Sequence, residues 1–134
     1  MSAYLLDTNI CIYYFKGLYD LDKKIKEIGI SNCSISEITI AELKFGVENS
    51  SSTKKEENRK MVESFINSIN ITPIVLSLDV YAREKSRLRK KGLVIDEFDL
   101  LIGSSAIANN LILVTKNIKH FENLDGIKIE NWTE

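Results

Sequence analysis

Short apolar runs alternate with helix-like stretches along nearly all of the 134-residue sequence. The strand-like runs are AYLL at 3–6, CSIS at 33–36, PIVLS at 73–77, LILVT at 111–115 and IKIE at 127–130. Between them, apolar residues recur at helical spacing, which predicts helices at about 8–16, 18–28, 39–49, 54–69, 79–91 and 99–109. Strands separated by helices are typical of a parallel sheet covered on both faces. The sequence therefore predicts a three-layer α/β/α fold in a single domain, 1–134.

The composition is that of an ordinary globular protein, with 44% hydrophobic and 28% charged residues. No apolar run approaches the roughly 18–20 residues of a membrane span, and no secretory leader is visible, so we expect a cytoplasmic protein with no membrane partner. Cys11 and Cys33 are then expected to be reduced, packed thiols. The net charge of -1 disfavours a protein that coats nucleic acid. Two basic runs, KKIK at 23–26 and RLRKKG at 87–92, are either solvated helix faces or phosphate contacts.

Acidic side chains converge at one edge of the predicted sheet. Ligand sites in such folds form outside the carboxyl ends of the strands. Asp7 follows the first strand, and Glu42 is predicted in the first turn of the helix that follows the second strand. Asp99 begins the helix that leads into LILVT, and Asn117 comes just after that strand. Four separate segments therefore bring polar side chains to the same edge.

Each acid has an alternative role as a helix cap. Asp7 or Thr8 suits the start of the first helix, TIAE at 39–42 matches the capping-box pattern, and Asp99 is an acceptable N-cap. Three acids without a neighbouring lysine or arginine repel one another unless a cation lies among them. Mg²⁺ or Mn²⁺ suits such oxygen ligands and promotes phosphodiester hydrolysis. No GxSxG or P-loop pattern offers another chemistry.

Four motifs resemble those of the PIN-domain ribonucleases, and within them the VapC-type toxins of toxin–antitoxin pairs. The opening motif is LLDTNI at 5–10, and the second is ISEITIAELKFG at 35–46. The third is FDLLIGSSAIANNLILVTKN at 98–117, and the tail is FENLDGIKIENW at 121–132. The resemblance covers nearly the whole chain, with the motifs in order and at the family's spacing.

The resemblance implies a five-stranded, mainly parallel, doubly wound sheet and an Mg²⁺- or Mn²⁺-dependent endoribonuclease. Asp7, Glu42 and Asp99 would bind the metal and act as catalytic residues, supported by Thr8 and Thr115. The substrate would be RNA, with tRNA and the initiator tRNA anticodon loop as targets. A homodimer is implied, as is inhibition by a VapB-type antitoxin whose tail enters a groove near the site. CIYYF at 11–15 would form part of the groove wall or of the core.

Some residues depart from the family pattern. Asn117 stands where many PIN domains carry a fourth acid, and an amide binds a divalent ion more weakly than a carboxylate does. A second ion is therefore open, with Asp96 as a partial substitute or an exposed turn acid. His120 either touches RNA or is a surface histidine. In the basic run, Arg87 and Arg89 are predicted to contact the RNA backbone, as are Lys90 and Lys91.

Three other functions compete with the ribonuclease interpretation. A receiver-like signalling domain shares the doubly wound sheet, but it needs paired acids after the first strand and a phosphoacceptor aspartate at the end of a central strand. A catalytically idle PIN-like binding protein would not need the intact acids at 7, 42 and 99. A PIN-like nuclease acting on other structured nucleic acid, such as branched DNA, would share the metal chemistry.

Overall fold

Five short parallel strands form one sheet in the computed structural model, which describes residues 2–134. The strands are β1 (Tyr4–Leu6), β2 (Cys33–Ser36), β3 (Asn70–Thr72), β4 (Ile112–Val114) and β5 (Ile129–Glu130). Their order across the sheet is β3-β2-β1-β4-β5, and every neighbouring pair is parallel. The predicted five-stranded, doubly wound sheet is confirmed, and all of its pairs are parallel rather than most of them.

Seven helices connect and cover these strands within residues 2–134. They are α1 (Thr8–Phe15), α2 (Leu21–Ile28), α3 (Glu37–Glu48), α4 (Lys55–Ser68), α5 (Leu78–Lys90), α6 (Glu97–Ala108) and α7 (Ile118–Phe121). Two 3₁₀ turns, Ile30–Asn32 and Val75–Ser77, precede β2 and α5. None of these helices has the length and apolar character that a membrane span requires.

The core is split between the two faces of the sheet. Side chains alternate along a strand, so Leu6 joins a cluster formed with α1–α4, whereas Leu5 joins a cluster formed with α5–α7. Leu113 and Val114 divide in the same way on β4. Helices therefore cover both faces, and the predicted three-layer α/β/α architecture is confirmed.

The strand order creates a crevice at the centre of the sheet. From β1 the chain builds outward to β2 and β3 on one side, and β4 and β5 lie on the other. The order thus reverses between β1 and β4, whose paired ends are Leu6 and Val114. Open parallel sheets bind ligands at such a switch point, beyond the carboxyl ends of the strands. The order 3-2-1-4-5 also differs from the flavodoxin-like order 2-1-3-4-5 that a receiver-like domain would have.

The prediction of a strand over PIVLS was wrong. The third strand is β3, which ends at Thr72, immediately before Pro73. Proline has no backbone N–H to donate to a ladder, and the pairing of the edge strand β3 with β2 stops just before it. The apolar residues that followed it suggested a strand, but Val75 and Leu76 lie in the 3₁₀ turn with about two thirds of their surface exposed (67% and 65%).

Two helix starts were predicted two residues too late. Helix α3 begins at Glu37 because the hydroxyl of Ser36 accepts a hydrogen bond from the Ile38 N–H. The capping-box interpretation of TIAE was therefore wrong, since Glu42 lies beyond the first turn. Helix α6 likewise begins at Glu97, capped by the Asp96 side chain rather than by Asp99.

The remaining differences are small. Strands β1, β4 and β5 are shorter than their apolar runs, and α7 was not predicted because four residues are too few for a helical period. Cys11 and Cys33 are free and buried, as predicted. Burial raises the pKa of both thiols, that of Cys33 to about 11, so neither is a reactive thiolate.

Candidate active site

Asp7 lies at the switch point, where β1 passes into α1. Its Oδ1 accepts a hydrogen bond of 2.8 Å from the Thr8 N–H, which makes it the N-cap of α1. Its Oδ2 accepts a 2.8 Å hydrogen bond from the hydroxyl of Thr115, which follows β4. Only 4% of Asp7 is exposed. The capping role and the position at the centre of the crevice therefore belong to the same carboxylate.

Thr115 ties the ends of β1 and β4 together. While its hydroxyl donates to Asp7, its oxygen accepts the backbone N–H of Asn117 at 3.0 Å and the side-chain amide of Asn9 at 3.5 Å. The side chain of Asn117 is exposed and makes no hydrogen bond within residues 2–134. Thr115 thus contacts Asp7 through its side chain, whereas Asn117 reaches Thr115 through its backbone.

Glu42 reaches the same place from α3. Its Oε1 accepts a 2.6 Å hydrogen bond from the hydroxyl of Thr8. The Thr8 oxygen lies 3.0 Å from the hydroxyl of Thr39, which is fully buried. Since the single Thr8 proton goes to Glu42, Thr39 is the donor to Thr8. Two threonines in series therefore hold the Glu42 carboxylate beside the start of α1.

Asp99 approaches from the first turn of α6. One oxygen of Asp96, Oδ2, accepts the N–H groups of Phe98 and Asp99 and so fixes the start of this helix. Asp99 Oδ2 lies 3.0 Å from Nδ1 of His120 on α7. His120 is thus a surface histidine, as predicted, with 55% of its side chain exposed, and it is also a direct partner of a site acid.

The electrostatics join these acids into one site. The pKa of Asp7 is raised to about 6, mainly by burial and also by the charges of Asp99 and Glu42, against the opposing hydrogen bonds from Thr115 and Thr8. Burial also raises the pKa of Glu42 and of Asp99, with Asp96 adding to both. Among residues 2–134, no lysine or arginine acts on any of the three acids, and His120 is the one basic group that offsets Asp99. The site therefore holds negative charge that the protein itself leaves unbalanced.

The residues fit a hard divalent cation, with one qualification. Carboxylate oxygens are the preferred ligands of Mg²⁺, and the Oδ1 of Asn9 beside them is buried without a hydrogen-bond partner within residues 2–134. However, no three Asp, Glu, His or Cys side chains in this part of the chain are close enough to form a complete ligand set. Mg²⁺ usually keeps several waters and binds one or two carboxylates directly. Direct bonds from one or two of these carboxylates, with waters in the remaining positions, would fit that habit.

The predicted RNA-binding residues differ in exposure and in their ion pairs. Arg89, Lys90 and Lys91 are exposed at the C-terminal end of α5 and form no ion pair within residues 2–134. Arg87 instead donates to both carboxylate oxygens of the buried Glu84, at 2.8 and 2.9 Å. One of the four basic residues is therefore structural, and the interpretation of Arg87 as a phosphate contact is not supported by its geometry.

Sequence reasoning missed three side chains of the site network. Thr39 was noted only as part of a motif, although its distance of three residues from Glu42 places both on one helix face. Asn9 follows the capping pair and gave no separate signal. The contact of His120 with Asp99 joins α7 to α6, and no local pattern in the sequence predicts a contact over that separation.

Comparison with known proteins agrees with this geometry. The PIN domain family model matches residues 4–127, so the chain belongs to the PIN-domain family, whose nucleases are generally metal-dependent. Over 96% of this chain and 97% of its own length, ribonuclease VapC2 of Rickettsia felis is 39% identical. The tRNA(fMet)-specific endonuclease VapC of Salmonella typhimurium is 31% identical over 98% of this chain and 99% of its own.

A solved structure adds the same likeness in three dimensions. The chain superposes on one from the DNA-bound VapBC complex of Salmonella typhimurium with a TM-score of 0.91 and 30% identity, covering 98% of this chain and 99% of that one. These relatives place the chain among the VapC endoribonucleases, the toxins of VapBC toxin–antitoxin pairs. The receiver-like alternative is thereby excluded.

Proposed function

We propose that the protein is a metal-dependent endoribonuclease that cuts tRNA, with Asp7, Glu42 and Asp99 as its metal-binding and catalytic acids. The observation that carries the proposal is the convergence of these acids at the switch point without a compensating cation. Bound Mg²⁺ or Mn²⁺ would supply Lewis acidity to a phosphodiester and lower the pKa of water. The tRNA target is supported by the names of two relatives, the tRNA(fMet)-specific endonucleases VapC of Salmonella typhimurium and Shigella flexneri, which are 31% and 28% identical to this chain. Cleavage in the initiator tRNA anticodon loop is proposed from the family resemblance.

The side chains of the chain would divide the work according to their contacts. Asp7 is fixed at both oxygens by Thr8 and Thr115, so its carboxylate is the preorganised ligand. Asp99 lies nearer the surface, in contact with the exposed His120, and would bind the ion on the side that faces solvent. Glu42, held by the Thr8 hydroxyl, would bind the ion or orient the attacking water.

A cleavage assay tests the proposal. Purified protein is incubated with a total tRNA pool in Mg²⁺, in Mn²⁺ and in EDTA, beside the variants Asp7→Asn and Asp22→Asn. Asp22 is an exposed acid of α2 that does not act on the three site acids, so its variant is the matched control. We expect wild type and Asp22→Asn to produce discrete fragments only when the metal is present. The cleavage rate of Asp7→Asn should be lower by about 10²-fold or more. No cutting of tRNA or ribosomal RNA by folded, metal-loaded wild type would favour the idle binding protein.

The exposed cations at the end of α5 are proposed to hold the RNA backbone. Removing Arg89, Lys90 and Lys91 together should reduce the slope of log affinity against log salt by about 0.7 per lost single-strand phosphate contact. The matched control removes Lys23, Lys24 and Lys26 from the other basic run. An unchanged slope in the first triple variant would remove these residues from the RNA interface.

A VapB-type antitoxin is the proposed protein partner, and an apolar groove is its proposed binding site. The groove, of about 500 Å³, lies between α1, α3 and α4 and is lined by Phe15 and Met61 as well as by Glu42. A segment bound there would cover one of the site acids. Met61 is 39% exposed, so Met61→Glu should weaken antitoxin binding without unfolding the protein, and unchanged binding would place the antitoxin elsewhere.

A homodimer is also proposed, and the apolar turn after β3 offers a surface for it. Val75 and Leu76 are 67% and 65% exposed, and Leu78 beside them is 45% exposed. Adjacent exposed apolar side chains of this kind mark interaction surfaces. Sedimentation equilibrium should give a dimer mass for wild type and a monomer mass for Leu76→Glu; a wild-type monomer at high concentration would contradict the proposal.

A further inference from the structure

A cavity of about 290 Å³ opens beside Asp99, between the α5–α6 loop and α7. One side of it is apolar, formed by Leu88 at the end of α5 and by Leu93 and Ile95 of the loop. Val94 stands at its mouth with 98% of its surface exposed, and Leu93 is 42% exposed. Leu88 and Ile95 belong to the core cluster beneath, whereas Leu93 and Val94 belong to neither core cluster, which suggests that a ligand covers them.

The other side of the cavity is polar and mixed in charge. Asp96 and Asp99 line it from the start of α6, and Lys119 and His120 line it from α7. Asn123 closes the same side, and its backbone carbonyl is held at 2.6 Å by the guanidinium of Arg87. Because Asp99 belongs to both the cavity and the acid cluster, any molecule in the cavity lies directly beside the reacting phosphate.

The shape and chemistry of the cavity suit one nucleobase. Its volume is at the lower limit of small-molecule sites, which begin near about 300 Å³. An apolar wall accepts a flat ring, and the polar rim meets the hydrogen-bonding edge of a base. Lys119 at the rim, together with the exposed cations at the end of α5, suits the phosphates on either side. A base inside a duplex is stacked on both faces and paired along its edge, so it cannot enter.

We propose that this cavity, the α5–α6 cavity, binds the base of an unpaired nucleotide adjacent to the scissile bond. This inference rests on the proposed ribonuclease function. It makes Leu93 and Val94 determinants of where the RNA is cut. The fixed loop at Asn123 keeps the cavity open, because the Glu84–Arg87 pair holds both Asn123 and the N–H of Asp125.

The test removes the base from the substrate and the wall from the protein. A short single-stranded RNA that spans the cleavage site mapped in the tRNA assay is prepared intact and with one abasic ribonucleotide at each of the positions flanking the scissile bond. Wild type, Leu93→Ala, Val94→Ala and the control Leu18→Ala are compared by kcat/KM. Leu18 is an exposed leucine of the α1–α2 loop, and at 42% its exposure equals that of Leu93. Melting temperatures confirm that all four proteins are folded.

We expect one abasic position to lower the kcat/KM of wild type and Leu18→Ala by about tenfold or more, the effect of losing one stacked base. Leu93→Ala should lower kcat/KM on the intact RNA by a similar factor and be less than about twofold sensitive to that same abasic position. Val94→Ala should show the same coupling with smaller factors. Annealing a complementary strand should abolish cleavage by wild type.

Two results overturn the inference, and they are distinguishable. If wild type cuts the intact RNA but the abasic penalties in Leu93→Ala equal those in wild type at every position, or the duplex is cut as well as the single strand, the cavity does not hold a base and the ribonuclease function stands. If wild type cuts neither tRNA nor any intact RNA in Mg²⁺ or Mn²⁺, both the function and the cavity proposal fail.

Discussion

Asp7 and Glu84 are buried to the same degree, 4% and 1% exposed, yet their carboxylates are treated in opposite ways. Glu84 receives two hydrogen bonds from the guanidinium of Arg87 and one from the N–H of Asp125. The hydrogen bonds from Arg87, which have the largest effect, and the one from the Asp125 N–H lower the pKa of Glu84. Asp7 has two neutral donors and two acidic neighbours, and its pKa is raised to about 6.

The contrast separates a structural carboxylate from a functional one. Burial disfavours the charged form of both, so what differs is the partner that each is given. At Glu84 the fold supplies a cation, and the pair fastens the loop after α7. At the switch point the fold supplies only donors that orient the carboxylates and leaves their charge unbalanced. That imbalance lowers the stability of the metal-free protein and favours the binding of a cation.

Breaking the balanced pair should have the largest effect on stability. Glu84→Gln leaves Arg87 without its charge partner, and we expect the free energy of unfolding to fall by about 3 kcal/mol, at the lower end for a buried pair because 29% of the Arg87 side chain is exposed. Urea denaturation at pH 7 measures it. Glu63→Gln, at an exposed position of α4, is the control. A loss below about 0.5 kcal/mol would mean that the pair is not a structural anchor.

Asp7 and Glu84 should make the free energy of unfolding depend on pH in opposite directions, because the pKa of Asp7 is raised and that of Glu84 is lowered. The folded-state pKa of Asp7 is above its ordinary value of 3.8, so the stability that Asp7 contributes is fully present below pH 3.8 and is lost as the pH rises through about 6. In EDTA, we expect wild type to lose about 2–3 kcal/mol relative to Asp7→Asn between pH 4 and pH 7. Glu84 has a lowered pKa, so the stability that it contributes is lost as the pH falls, and only below its ordinary value of 4.5. Parallel stability profiles for the two proteins would contradict the raised pKa.

Removing an orienting donor should have the smallest effect. Thr115→Val deletes the hydroxyl that donates to Asp7, and we expect a loss of about 1 kcal/mol in EDTA at pH 7, since the deletion also leaves the Asn117 N–H without its acceptor. Thr115→Ser keeps the hydroxyl and should restore most of the stability and the cleavage. If Thr115→Val is as stable as wild type and Thr115→Ser is not, the methyl group and its packing matter rather than the hydrogen bond.

The architecture could be predicted from the sequence because it depends on local patterns. Apolar runs and helical periods located four of the five strands and six of the seven helices. The error at PIVLS shows the limit: an exposed apolar turn and a buried strand have the same composition, and only tertiary packing distinguishes them. Two observed helix starts differ from the predicted ones for a related reason. Ser36 and Asp96 are the N-caps, but later residues in each segment could also cap a helix, and three-dimensional context decides which one does.

The site could be predicted in outline and not in its contacts. The rule that parallel strands end at one edge was enough to bring Asp7, Glu42 and Asp99 together. It could not predict that Arg87 would turn inward to Glu84, nor that Thr39 would donate to Thr8, because both depend on which helix face is buried. The partner of Asp99, His120, is contributed by a helix too short to be detected.

The central claim is that the switch-point acids are left unbalanced for a divalent cation, and melting temperatures test it most directly. Wild type and Asp7→Asn are melted at pH 7.5 in EDTA and in saturating Mn²⁺. We predict that Asp7→Asn melts higher in EDTA and gains little from Mn²⁺, whereas wild type gains by several degrees, as about 2.7 kcal/mol of ligand stabilisation at 100 times Kd would give. Equal Mn²⁺ shifts in the two proteins, or a variant less stable than wild type in EDTA, would contradict the account.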